Sequence, residues 1–112
     1  GLVHLAGLTT VREISLHQTK VTDAGLIHMK GLVHLERLFL SDTPTADDGL
    51  VHLAGLEKLK VLGLSGTRVS DKGLPHLAKL KKLESLFLLR AKATDAGVQK
   101  LQQALPDCDI VH

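Results

Sequence analysis

Aromatic side chains are nearly missing from this chain of 112 residues, which has no Trp, no Tyr and two Phe. Proteins that stack nucleobases, sugar rings or methylated ammonium groups do so on aromatic faces. Two phenyl rings are too few for such a platform, so these classes of binding site are ruled out.

Cysteine, long apolar runs and charge of one sign are also scarce. The single cysteine, Cys108, excludes an internal disulfide framework and a cysteine-based zinc cluster. The apolar runs span only a few residues, which predicts no insertion into a membrane. A formal charge of +2 is too small to indicate binding to nucleic acid.

Since no phosphate loop or nucleophile motif is present either, we predict a protein that is not an enzyme and has no cofactor.

Leucine, in contrast, supplies 24 of the 112 residues and recurs with a fixed period of 24 residues. Glycine, aspartate and histidine share this period. Their columns are Gly1, Gly25, Gly49, Gly73 and Gly97; Asp23, Asp47, Asp71 and Asp95; and His4, His28, His52 and His76. Because no insertion or deletion breaks the period up to Gly97, we predict one domain over residues 1–112.

Each repeat combines two hydrophobic patterns. In the second repeat the apolar residues of 26–32 have helical spacing, whereas Leu38 and Leu40 alternate as in a strand. Neither element can bury its apolar face alone, so neighbouring repeats must stack and share one core. The strands then form a parallel sheet with about 4.8 Å between neighbours. Because helices are wider than strands, the stack curves with its strands on the concave side.

One repeat of the pattern is Leu56-x-x-Leu59-x-x-Leu62-x-Leu64-x-x-Thr67-x-Val69-Ser70-Asp71-x-Gly73-Leu74. It resembles a leucine-rich repeat, most of all the bacterial 24-residue type in which T/S-D-x-G-L opens each convex segment. The resemblance implies an α/β fold. The expected architecture is a curved right-handed solenoid with parallel strands on the concave face and short helices on the convex face.

About four and a half such repeats fit the chain, and residues 98–112, where the period breaks, are expected to cap the C-terminal end. Cys108 and Ile110 in this segment belong either to a last strand or to a closing loop. Thr19, Thr43 and Thr67 stand where many leucine-rich repeats carry Asn. In that family the Asn side chains bond backbone groups of adjacent turns. A Thr hydroxyl can make a shorter version of this contact, whereas Ala91, which has this position in the fourth repeat, cannot.

The aspartate column begins the helical part of each repeat, together with Thr22, Ser70 or Thr94. A short oxygen side chain at a helix start accepts hydrogen bonds from free backbone N–H groups, and the helix dipole favours a negative charge there. We therefore predict that these aspartates cap helices and that they are not a catalytic pair.

The histidine column has two interpretations. Rings on adjacent convex segments could share a metal ion. However, their helical phase places them at the flank of the apolar stripe, no carboxylate recurs beside them, and Lys100 ends the column. Packing between helices is the preferred interpretation, and no metal site is predicted.

The concave face is formed by strand residues that alternate with the core leucines. Both Phe project there in one column, two strands apart, with Gly63 between them and a gap of about 10 Å. The candidate partner-binding residues are Arg37, Phe39, Val61, Gly63, Ser65, Ser85, Phe87 and Leu89; Glu13, Ser15, His17 and Ser41 complete the face.

Three cations, Lys20, Arg68 and Lys92, share one column on the loops that leave the strands. They form a candidate rim that would attract an acidic partner. A solvated edge is the simpler explanation of the same pattern.

The resemblance implies a non-catalytic interaction module that binds a protein or peptide partner on the concave sheet. Two alternatives stay open. The chain could be an assembly element that stacks end to end, with weak self-association through its N-terminal end, or the docking arm of a larger multidomain protein. It begins at Gly1 with neither an initiator Met nor a signal peptide, as expected of a processed or excised piece, and it indicates no compartment.

Overall fold

The computed structural model describes residues 12–16, 18–20 and 22–112, without the side chain of Ala24. In this part of the chain five strands pair in parallel, in the order of the sequence. They are β1 (Glu13–Ser15), β2 (Arg37–Phe39), β3 (Val61–Gly63), β4 (Ser85–Phe87) and β5 (Asp109–Val111). The central residue of each strand is level with that of the next, in the series Ile14, Leu38, Leu62, Leu86 and Ile110.

Short helices connect the strands. They are α1 (Asp23–Leu26), continued by a 3₁₀ turn at Ile27–Met29, then α2 (Asp47–Leu53), α3 (Leu74–Leu77) and α4 (Asp95–Ala104). Helix α3 begins late, behind Gly73, because Pro75 has no N–H to donate and is accommodated in a first turn. The predicted α/β solenoid is confirmed. None of the helices that the structure describes is long and apolar enough to cross a membrane.

The leucines of neighbouring repeats fill one continuous core. Leu38, Leu62 and Leu86 are completely buried at the centres of their strands, and so are Leu56 and Leu80 on the segments that lead back to the sheet. Each fully buried leucine stabilises the fold by about 1.5–3 kcal/mol relative to an exposed one. Since these contacts join different repeats, a single repeat has no comparable core of its own.

Strands β1 to β4 are each followed by a turn with one residue in the left-handed region: Gln18, Asp42, Gly66 and Arg90, with φ between 58° and 71°. The first three donate their N–H to a carbonyl of the next repeat at 2.8–2.9 Å, which prolongs the ladder past the strand. At Gly66 a side chain is excluded twice, by the positive φ and by the Asp42 carboxylate that fills the space a Cβ would need.

The threonine column bonds within its own turn. The hydroxyls of Thr19, Thr43 and Thr67 donate to the carbonyl three residues earlier, at 2.7, 2.7 and 2.6 Å. The shorter contact expected of Thr is therefore made to the backbone of its own turn.

The aspartate column joins neighbouring repeats. The Asp23 carboxylate accepts the N–H of Ala46 at 2.8 Å, and the Asp47 carboxylate accepts the N–H of Ser70 at 2.7 Å and its hydroxyl at 2.5 Å. Asp71 binds Thr94 in the same way, at 2.8 and 2.5 Å. Each carboxylate therefore ties the start of its own convex segment to the start of the next one.

The prediction that these aspartates cap their own helices is wrong. Among the described helices only α4 has a side-chain cap, in which the hydroxyl of Thr94 accepts the N–H of Gly97 at 3.2 Å. The carboxylate of each of these aspartates lies next to the following repeat. A free backbone N–H of that repeat is therefore the donor within its reach.

The glycine column provides the space for this contact. A Cβ built on Gly73 would lie 2.5 Å from Oδ1 of Asp47 and 2.8 Å from Cδ1 of Leu50. Gly49 faces Asp23 and Leu26 at the same distances, and Gly97 lies against Asp71. The motif Asp-x-Gly thus works across repeats: the carboxylate of one repeat occupies the place of the missing side chain in the next.

The C-terminal segment continues the stack. Leu105 and Cys108 are buried beyond α4, and Ile110 is half-buried in β5. The Gln102 amide donates to the carbonyls of Leu105 and Cys108 at 2.9 and 2.8 Å, which holds the turn between helix and strand. Ile110 thus belongs to a last strand, and Cys108 directly precedes that strand. The role of residues 98–112 as a cap stays a prediction.

The aspartate contacts are tested by Asp47→Ala and its matched control Asp95→Ala. Both aspartates occupy the first turn of a helix, but Asp95 is 90% exposed and, among the described residues, pairs only with His112, at 3.4 Å. We expect Asp47→Ala to lower the free energy of unfolding by about 1.5–3 kcal/mol, because two hydrogen bonds to a charged acceptor are lost. Asp95→Ala should have a much smaller effect in the same urea titration. Equal losses in both variants would show that the helix dipole alone explains the column.

Ala46 is the position where this contact is incomplete. It donates its N–H to Asp23 but has no hydroxyl, whereas Ser70 and Thr94 donate both groups. Its backbone is extended, so Ala46→Ser needs no change of conformation. We expect this substitution to raise the free energy of unfolding by about 1 kcal/mol, measured by urea denaturation. The same substitution in an Asp23→Ala background should give no gain.

A pH dependence follows from Asp71. The hydroxyl of Thr94, then its backbone N–H, hold the pKa of the Asp71 carboxyl below its ordinary value of 3.8. The ionised form is thus favoured in the folded state. Its contribution to stability is complete above pH 3.8 and is lost as the pH falls through the lowered pKa.

Thermal melts between about pH 6 and about pH 2 measure this effect. We expect the melting temperature to fall at the acidic end, and to fall less steeply in Asp71→Asn, which has no carboxyl to protonate. A variant curve parallel to that of the parent protein would contradict the assignment.

Candidate functional site

The concave face of the sheet is formed by the outward residues of three-residue strands, which alternate with a central residue that points to the core. In β2 the central Leu38 is buried, Arg37 is exposed and Phe39 is half-buried, and β1 and β4 follow the same rule. In β3 the outward Gly63 is buried as well, and in β5 the central Ile110 is half-buried. The parallel register aligns the outward residues into two columns. One contains Ser15, Phe39, Gly63, Phe87 and Val111, and the other contains Glu13, Arg37, Val61, Ser85 and Asp109.

The aromatic column is the apolar part of this face. Phe39, Phe87 and Val111 are half-buried, so part of each side chain is open to solvent. Gly63 lies between the two rings but is itself buried. A Cβ built on Gly63 would lie 3.2 Å from Cδ1 of Phe39, so this ring leans over the glycine. The Phe39 ring therefore covers part of the space that the sequence predicts between the two rings.

The second column is the polar margin. Arg37 and Glu13 are exposed and form an ion pair at 3.5 Å. Val61 and Ser85 are half-buried, and Asp109 is exposed at the opposite end of the column. Opposite charges at one end and a carboxylate at the other thus flank the apolar column.

Beyond the strands the face ends in Ser41, Ser65 and Leu89. Leu89 is 45% exposed, which is unusual for a leucine in this protein. Its N–H donates to the hydroxyl of Ser65 at 3.1 Å, so the two residues hold each other in place. Arg90 and Asp42 form an ion pair at 3.4 Å in the adjoining turns. His17, expected on this face, lies outside the described residues.

Val111 and Asp109 belong to the face but were not among the candidate residues. Leu105 comes one residue later than the period requires, which obscured the last strand in the sequence. One signal was nevertheless present, since Ile110 follows Leu86 by 24 residues, as Leu86 follows Leu62. The alternation Asp109-Ile110-Val111 around that position indicates a strand.

The rim cations Lys20, Arg68 and Lys92 are all exposed. The backbone N–H groups of Arg68 and Lys92 donate to carbonyls of the preceding repeat at 2.8 Å, which fixes the loops. None of the three side chains forms an ion pair with a residue that the structure describes.

The histidine column is half-buried at His28, His52 and His76, while His4 lies outside the described residues. Nδ1 of His52 is buried without a hydrogen-bond partner. Over residues 12–16, 18–20 and 22–112, no group of three or more His, Cys, Asp or Glu side chains is arranged to hold a metal ion.

Cys108 is the one thiol of the chain, and it is buried. Burial, and then the negative charge of Asp109, raise the pKa of the Cys108 thiol to about 11. The thiol stays protonated at neutral pH, and a protonated thiol is a poor nucleophile. Cys108 therefore contributes packing to the last repeat.

The known proteins that this chain resembles are found among solved structures. No family model matches the sequence, and the search of curated proteins finds no match. Internalin C2 from Listeria monocytogenes is 29% identical and superimposes with a TM-score of 0.81, over 100% of this chain and 46% of that one. A leucine-rich-repeat protein from Leptospira interrogans is 22% identical, with a TM-score of 0.76 over 98% of this chain and 27% of its own.

A third similar structure is that of leiomodin-1 actin-binding site 2. It is 12% identical, with a TM-score of 0.75 over 98% of this chain and 76% of that one. The chain described here spans less than half the length of the two bacterial proteins. Repeats of 24 residues, a parallel ladder with one strand per repeat and the likeness to internalin C2 agree on one conclusion. The chain has the leucine-rich-repeat fold.

Proposed function

We propose that this chain is a non-catalytic interaction module that binds a protein or peptide partner on its concave sheet. The observation that carries the proposal is the aromatic column, in which Phe39, Phe87 and Val111 remain partly open to solvent on the outer face. The core is already filled by leucines on the other side of the same strands. Rings that project outward from a filled core have apolar surface left for a partner.

The arrangement around the column supports this proposal. Apolar surface that is enclosed by polar groups is typical of interaction sites, and large apolar anchors often contribute most of the binding energy. Here the Glu13–Arg37 pair flanks one end and Asp109 the other, while Leu89 extends the apolar area beyond the strands. We infer that a partner inserts an apolar side chain between Phe39 and Phe87.

The rim is assigned a secondary role. Lys20, Arg68 and Lys92 are exposed on successive loops at one border of the sheet. Exposed cations accelerate the encounter with an acidic partner and contribute little to the affinity at physiological salt. Substitutions at the rim should accordingly change the association rate more than the dissociation rate.

Leucine-rich-repeat proteins in general are protein-interaction modules, and the structures similar to this chain fit that description. Leiomodin-1 site 2 is named for binding actin, which is a protein partner. At 12% identity this likeness concerns the fold alone. The residues of the proposed concave site are therefore argued from the chain described here and from no relative.

The test replaces Phe39 and Phe87 by Ser, singly and together. Both side chains point away from the core, so we expect the melting temperature to be nearly unchanged. Partner capture from a lysate of the source cells should be lost, because the apolar anchors are removed. Val33→Ser is the matched control, since Val33 is 49% exposed and lies outside the sheet.

Two outcomes would contradict the proposal. Unchanged capture by the double variant would show that the aromatic column does not contact the partner. Collapse of the fold would show that the rings are structural. Sedimentation across a concentration series addresses the end-to-end assembly, which requires a mass that rises with concentration.

A further inference from the structure

A groove lies on the convex side of the molecule, between α3 and α4. It has a volume of about 410 Å³. Its lining is mainly apolar, and Asp71 and Lys100 are the charged residues in it. The apolar lining residues are Leu74, Pro75, Ala78, Ala96, Leu101 and Ala104.

Small side chains produce the groove. Ala104 follows Leu80 by 24 residues, and the earlier members of this column, Leu32 and Leu56, are completely buried leucines. In the last repeat the buried leucine comes one residue later, so that Leu105 occupies the core and Ala104 is left half-buried at the surface. With Ala78 opposite, both walls have methyl groups where longer side chains would meet.

An apolar stripe continues from the groove across the convex face. Pro75 lines the groove and is exposed, and it shares its column with Val51 and Ile27. These two side chains are 49% and 48% exposed, among the most exposed large apolar residues that the structure describes. Since neighbouring helices pack about 8–10 Å apart, the stripe from α1 to the groove is about 20 Å long.

Cations outnumber carboxylates around the groove. Of the two carboxylates, that of Asp95, next to the lining residue Ala96, forms an ion pair with His112 at 3.4 Å. Lys72, Lys79 and Lys100 are exposed on the segments that form or adjoin its walls. The other carboxylate, that of Asp71, already accepts two hydrogen bonds from Thr94. An occupant with carboxylates beside its apolar surface would therefore complement this part of the molecule.

We propose that the groove and the stripe together are a second docking surface, which binds an acidic amphipathic helix of a partner protein. Its apolar side chains would occupy the groove and cover Val51 and Ile27, and its carboxylates would face Lys72, Lys79 and Lys100. A small ligand would fill the groove alone and leave the stripe exposed. A membrane is flat and could not enter the groove. The surface lies opposite the concave sheet and does not depend on the function proposed for it.

The probe is a synthetic, fluorescein-labelled peptide of about 15 residues, whose helix would be about 22 Å long. It carries Leu on one face and Glu elsewhere. One control has the same composition in scrambled order, and a second has Lys in place of Glu. In fluorescence anisotropy we expect the 112-residue chain to bind the amphipathic acidic peptide at least about tenfold more tightly than either control.

Variants of the chain locate the binding. Val51→Asp and Lys100→Glu change exposed residues, so they should fold, and each should weaken binding about tenfold. Val33→Asp is the matched control for the first, because Val33 and Val51 are equally exposed at 49% and Val33 lies off the stripe. Lys92→Glu is the control for the second. Ala104→Leu fills the groove and should also weaken binding, and Phe39→Ser should not.

Several results would overturn the proposal. These are equal binding of the scrambled peptide, no binding of any peptide, or equal losses in Val51→Asp and Val33→Asp. Loss in Phe39→Ser would move the peptide to the concave sheet. Sedimentation with phosphatidylglycerol vesicles tests whether the surface binds a membrane instead. If the chain bound the vesicles but no peptide, and Lys100→Glu abolished the vesicle binding, the occupant would be a membrane surface and not a partner helix.

Discussion

The structure depends on the sharing of leucines between repeats. A unit of 24 residues supplies a three-residue strand and a short helix, too little to bury its own apolar face. Burial of Leu38, Leu62 and Leu86 is therefore achieved only when their strands are level with one another. Because this requirement recurs in every repeat, the spacing of the core imposes the same spacing on the surface. Outward residues of successive strands then form columns, whatever their chemistry.

The aspartates and glycines keep the convex side in the same register. A parallel ladder connects the strands, but helices have no ladder to a neighbour, and their free N–H groups need a partner. The carboxylate of Asp47 provides it for Ser70, in the space left by Gly73. A side chain at Gly73 would displace this carboxylate, and a shorter acceptor at Asp47 would not reach. The two columns therefore form one device, repeated between each pair of neighbours from α1 to α4.

Both proposed surfaces arise where individual repeats depart from the common pattern. Phe39 and Phe87 occupy a column that is otherwise Ser, Gly and Val, so apolar surface appears on two strands of a regular sheet. On the convex side Ala104 replaces a buried leucine, and a groove opens beside Pro75. The regular residues maintain the stack, which leaves the irregular ones free to vary without loss of the shared core. This division is how a repeat scaffold accommodates recognition.

The sequence by itself determined the period, the parallel strands and the face to which Phe39 and Phe87 belong, because burial with a period of two assigns alternate residues to opposite sides. Only the tertiary structure decided what depends on contacts between repeats. Asp47 looked like a helix cap because its nearest donors along the chain belong to its own helix, yet its partner Ser70 is 23 residues away. The place of Val111 and the groove at Ala104 depend on how the shift of the core leucine to Leu105 is accommodated. Spacing along the chain does not predict these contacts, because they depend on which atoms of the next repeat are within reach.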